Sequence, residues 1–130
     1  MVNQLTMVYD ADGTIKGELS YWVGNHIVGN VKCSLCDISH GPFRQKQVWK
    51  QWVGSLAERS IEVVTLHRND LAAPEYTELA RVIHGRFPCV VAHNQTGQLT
   101  YLIGDVELSE CNGQVDPLAK LIEARLRLLS

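Results

Sequence analysis

The sequence lacks any apolar run of the roughly 18 residues that a membrane span needs. Its N-terminal stretch, MVNQLTMVYDADG, lacks both the basic residues and the long apolar core of an export signal. Basic residues are not in excess either, because the net charge is -2 and only 20% of the residues are charged. We therefore expect a cytosolic protein whose partners include neither membranes nor nucleic acids.

Cysteine is also sparse, with four residues in a chain of 130. That number is too small for a secreted scaffold held together by disulfides. In a reducing compartment, a close pair of cysteines indicates redox chemistry or a metal site. Cys33 and Cys36 form such a pair within KCSLCDISHGP. No glycine-rich phosphate loop is present, so the sequence gives no support to a nucleotide cofactor.

Hydrophobic patterning predicts a single α/β domain over residues 1–130, with strands and helices in alternation. The predicted strands are QLTMVYDA, IEVVTLHR, PCVVAH and LTYLIG, the last two joined by a hairpin turn at Gly97. Four segments predict helices: GELSYWVGNHIVG, PFRQKQVWKQWVGSLA, APEYTELARVIHG and DPLAKLIEARLRLL. Pro42 is expected to begin the second of these, and Asp116 to cap the fourth.

The positions of the cysteine pair and of two prolines add to this pattern. Apart from the first predicted helix, the elements run βαβαββα, with Cys33 and Cys36 after the first strand, Pro42 soon after them and Pro88 before the third strand. In these features the chain resembles the thioredoxin-like superfamily over nearly its whole length. The resemblance implies a three-layer fold with a central mixed sheet of about four strands, here with an extra helix before the CxxC. It also implies a cis peptide bond between Phe87 and Pro88.

The same resemblance implies thiol–disulfide exchange with protein or small-molecule thiols and disulfides. At the start of a helix, unpaired N–H groups favour the ionised sulfur, so we expect Cys33 to be the exposed nucleophile and Cys36 the recessed, resolving residue. Phe87 and Pro88 are expected to leave a backbone edge open for a substrate segment. The extra helix, Gly17 to Gly29, is expected to pack beside the cysteines, with Trp22 in the lid or in the core.

Three alternatives to exchange remain open. The spacing of Cys33, Cys36 and His40 also occurs in zinc sites, and Cys89 is the one plausible fourth ligand. A thioredoxin-like module could instead have kept the fold for partner binding and lost turnover. The pair could also be two buried thiols that serve as small apolar side chains. Cys111, in the polar turn SECNGQ, is expected to be a surface or partly buried thiol.

Overall fold

A computed structural model describes residues 1–11, 33–41 and 44–129. Its strands are β1 (Val2–Tyr9), β2 (His40–Gly41), β3 (Arg44–Gln45), β4 (Glu62–His67), β5 (Cys89–Asn94) and β6 (Leu99–Ile103). Its α-helices are α1 (Ser34–Ser39), α2 (Gln47–Glu58), α3 (Thr77–Ile83), α4 (Asp105–Ser109) and α5 (Val115–Leu129). Two 3₁₀-helices, Arg68–Ala72 and Pro74–Tyr76, lie between β4 and α3.

Four strands form a mixed sheet in the order β4-β1-β5-β6. Strand β1 runs parallel to β4 and antiparallel to β5, and β5 runs antiparallel to β6. The carboxyl ends of β1, β4 and β6 therefore meet the amino end of β5 at one edge of the sheet. At that edge Val8 pairs with both Leu66 and Cys89. The α/β class and the mixed sheet of four strands confirm the coarser part of the fold prediction.

Side chains alternate between two cores on opposite faces of the sheet, as the pleat of a strand requires. On β1, Leu5, Met7 and Tyr9 face the larger core, whereas Val8 faces the smaller one. The larger core is completed by α1, α2, α4 and α5, through the buried residues Leu35, Ile38, Trp49, Leu56, Leu108, Leu118 and Ile122. The smaller core is completed by Leu79 and Ile83 of α3. Helices thus cover both faces of the sheet.

The Phe87–Pro88 peptide bond is cis, which confirms that prediction. The hairpin between β5 and β6 is confirmed as well, with Gly97 at φ 88°. The predicted helix from Gly17 to Gly29, including Trp22, lies outside the described residues. Within the described part of the chain, no helix is long and apolar enough to cross a membrane.

Two predicted helix starts are wrong. Helix α2 begins at Gln47, not at Pro42, because Arg44–Gln45 is extended and pairs with His40–Gly41. Helix α5 begins at Val115, so Asp116 is inside its first turn and does not cap it. A carboxylate in the first turn still interacts favourably with the helix dipole. Helix α4 was not predicted, since its five residues are too few to show a helical period.

Candidate dithiol site

Cys33 and Cys36 are joined by a disulfide at the start of α1, with their Cα atoms 5.2 Å apart. Cys33 directly precedes the helix and Cys36 is its third residue. The backbone N–H of Cys36 donates a hydrogen bond to Sγ of Cys33 at 3.3 Å. This is the position at which a capping side chain satisfies one of the free N–H groups of a helix start. The cysteine sulfur therefore occupies the cap of α1.

Both sulfur-bearing residues are buried, Cys33 with 1% and Cys36 with 5% of its surface exposed. The prediction that Cys33 is the exposed member of the pair is wrong. Its neighbours in the helix give the physical reason, because Leu35 is completely buried in the larger core. The apolar side of the first turn of α1 packs into that core, whereas Ser34 in the same turn is half-buried.

Helix α1 is held by side-chain hydrogen bonds near both of its ends. At its start, the Ser34 hydroxyl donates to Oδ1 of Asp105, the first residue of α4, at 3.1 Å. At its end, the Ser39 hydroxyl lies 2.7 Å from the Tyr9 hydroxyl, and both side chains are buried. Ser39 Oγ also lies 3.5 Å from the carbonyl oxygen of Cys36. The sequence does not predict these supporting residues, because their spacing along the chain gives no sign that they meet.

The cis peptide bond lies at the sheet edge where β1 ends. Since Cys89 is the first residue of β5 and pairs with Val8, Pro88 directly precedes the first paired position of that strand. Pro88 is buried and Phe87, half-buried, packs against the smaller core. A role for Phe87 and Pro88 in substrate binding stays a prediction.

The structure does not bring Cys89 to the dithiol. Cys89 lies in the smaller core, on the face of the sheet opposite to Cys33 and Cys36, because alternate residues of β5 point to opposite faces. Burial raises the pKa of Cys89 to about 12, although the charge of Arg86 acts in the opposite direction. The position of Cys89 on the opposite face gives no support to its prediction as the fourth zinc ligand.

The remaining metal prediction rests on His40, which begins β2 and whose side chain lies outside what the structure describes. Among the described residues, no group of three or more His, Cys, Asp or Glu side chains could hold a metal ion. A zinc site thus gains no support from the part of the chain that the structure describes.

Cys111 lies in the same core as the disulfide and is only 3% exposed. The expectation of a surface or partly buried thiol is therefore corrected to a buried one. Its Sγ lies 3.5 Å from the carbonyl oxygen of Glu107, one helical turn earlier. Burial raises the pKa of the Cys111 thiol, with smaller contributions from the charges of Glu110 and Glu107.

No protein-family model, curated protein or solved structure matches the chain.

Proposed function

We propose that this chain is a thioredoxin-like protein that exchanges electrons with thiols and disulfides through Cys33 and Cys36. The observation that carries the proposal is the Cys33–Cys36 disulfide at the start of the first described helix after β1. The sheet order β4-β1-β5-β6, with β5 antiparallel to its neighbours, supports the thioredoxin-like part of the proposal. The cytosolic location expected from the sequence stays a prediction.

The exchange takes place in two displacement steps. In the reduced protein, the Cys33 thiolate attacks one sulfur of a substrate disulfide, which forms a mixed disulfide and releases the other substrate sulfur as a thiolate. The Cys36 thiolate then attacks Sγ of Cys33, which closes the Cys33–Cys36 disulfide and releases the second substrate sulfur. Two electrons pass to the substrate, whose two thiolates take up the protons that the two cysteines lost.

The cap position of Cys33 favours its role as the attacking sulfur. The Cys36 N–H that points at Cys33 Sγ would also stabilise a negative charge on that sulfur after reduction. Hydrogen bonds to an ionised acceptor are about twice as strong as those between neutral groups. The same N–H therefore stabilises both the helix start and the nucleophile.

A redox titration tests the proposal. The protein is equilibrated with mixtures of reduced and oxidised glutathione, and the free thiols are then trapped and counted by mass spectrometry. We expect a reversible two-electron transition and catalysed reduction of a protein disulfide by dithiothreitol. Both should disappear in Cys33→Ser and persist in Cys111→Ser, which removes a buried thiol outside the pair. Catalysis that persists in Cys33→Ser as well as in Cys111→Ser would refute the assignment of Cys33 to the exchange reaction.

Burial of both sulfurs favours a second candidate, a module that binds a partner without turnover. With 1% and 5% of their surfaces exposed, Cys33 and Cys36 offer little surface to a substrate. In that case the disulfide serves as a structural cross-link of α1. The titration distinguishes the two functions, because a structural disulfide would not equilibrate with glutathione until the protein is unfolded.

A further inference from the structure

The two ends of α1 are held with different strength. The Ser39–Tyr9 contact at the end of the helix is buried, whereas the Ser34–Asp105 hydrogen bond at its start is exposed to solvent. An exposed hydrogen bond competes with water and is the first to open, whereas a buried polar pair is costly to separate. Of these two side-chain contacts, the one at the helix start therefore opens more easily.

Helix α4, to which the start of α1 is attached, is itself anchored. The backbone N–H of Gly104 donates to the Glu107 carboxylate at 3.2 Å. Glu107 forms an ion pair with Arg125 of α5, and Arg125 also donates to the carbonyl oxygen of Leu102 at 2.8 Å. Asp105 thus presents its carboxylate from an anchored helix, and the start of α1 is attached to that helix through Ser34.

We propose that Asp105 controls access to the disulfide, by holding Ser34 and so keeping the first turn of α1 closed over the Cys33 sulfur. The inference rests on the exchange function proposed above and adds the regulation of that site. Opening at Ser34 frees the adjacent Cys33, whereas Cys36 stays closer to the anchored end of the helix. Asp105 acts through Ser34 and is therefore a positioning residue.

The rate at which dithiothreitol reduces the disulfide of the folded protein tests this proposal. Asp105→Ala and Ser34→Ala should each raise the rate by about 2- to 10-fold, the range that one net hydrogen bond supplies. The double variant should be no faster than either single one, because both remove the same bond. Asp105→Asn keeps an acceptor oxygen and should stay near the rate of the unmodified protein.

Ser109→Ala is the matched control, since Ser109 also donates to Asp105 Oδ1, at 3.4 Å, but does so within α4. Its reduction rate should be unchanged. Equal rates in the unmodified protein and all five variants, or additive effects of the two alanine substitutions, would overturn the control of access. The disulfide of both alanine variants could be reduced faster while the protein fails to catalyse the reduction of a substrate protein's disulfide. That result would support the control of access by Asp105 and overturn the exchange function.

Discussion

The hydroxyl oxygen of Tyr9 lies 2.7 Å from Oγ of Ser39, and both residues are buried. This contact joins the last residue of β1 to the last residue of α1. It places a buried polar link at the end of the helix whose start carries the disulfide. A buried polar pair of this kind specifies one orientation of a helix, because any other orientation leaves its groups without their partners.

Replacing Tyr9 with Phe should lower the free energy of unfolding by about 1–2 kcal/mol, since the Ser39 hydroxyl then loses a buried partner. Urea unfolding of the oxidised protein measures the change. Tyr101→Phe is the matched control, because Tyr101 donates an exposed hydrogen bond to the Arg86 carbonyl. Equal losses in the two variants would show that the buried contact contributes nothing beyond the exposed one.

The buried thiol of Cys89 should make the protein less stable in alkali. Its pKa is about 12 in the folded chain, above the ordinary value, so the unfolded chain loses this proton first as the pH rises. The folded state then binds more protons, and stability falls with increasing pH until the folded thiol also ionises. Between pH 8 and pH 10 we expect a loss of about 1–2 kcal/mol from this group.

Urea unfolding at both pH values measures that loss. Cys89→Ala should lower stability at pH 8 through the cavity it leaves, but it should lose less stability on going to pH 10 than the unmodified protein. The two proteins thus differ in how steeply the free energy of unfolding falls with pH. That difference isolates the contribution of the Cys89 thiol from those of the other groups that titrate in this range. Parallel slopes would contradict the raised pKa.

Elements with a strong local signal could be predicted from the sequence, and the strands show why. The runs QLTMVYDA and IEVVTLHR have the length and the β-branched content of strands, and they form β1 and β4. The hairpin at Gly97 has a local signal as well, because its glycine takes up the positive φ that the turn needs. In each case the information lies within a few neighbouring residues.

The surroundings of the dithiol could not be predicted in the same way. The burial of Cys33 follows from the packing of Leu35 against residues far away in the chain. The Ser34–Asp105 hydrogen bond spans 71 positions and depends on α4. Cys89 directly follows Pro88, as expected. Because successive side chains of β5 alternate between the two faces, however, Cys89 points to the face of the sheet opposite to the dithiol. Tertiary packing decided the first two outcomes, and the alternation of side chains along β5 decided the third.

His93 should make the protein less stable in mild acid. Its Nε2 lies 2.7 Å from the hydroxyl of buried Thr6, and partial burial lowers the pKa of the imidazole. The unfolded chain therefore takes up a proton first as the pH falls below about 6.5. Stability from this group is complete above that value and is lost as the pH decreases toward the folded pKa.

Thermal unfolding between pH 7 and pH 5 checks this expectation. The decrease in melting temperature should be smaller in His93→Gln than in the unmodified protein. His84→Asn, at an exposed position with positive φ that asparagine tolerates, is the control and should keep the original decrease. An unchanged pH dependence in His93→Gln would show that this histidine does not contribute.

The sulfur of Cys33, and not that of Cys36, should react with substrate. If Cys33 attacks and Cys36 resolves, Cys36→Ser should accumulate a mixed disulfide between Cys33 and a substrate, because the second displacement has lost its nucleophile. Cys33→Ser should accumulate much less, since Cys36 is the third residue of α1 and lies closer than Cys33 to the end of the helix that Tyr9 holds. Incubation of each reduced variant with oxidised glutathione, followed by peptide mass analysis, counts the adducts at each position. Adducts that form mainly at Cys36 would reverse the two roles, and adducts at neither cysteine before unfolding would favour the structural cross-link.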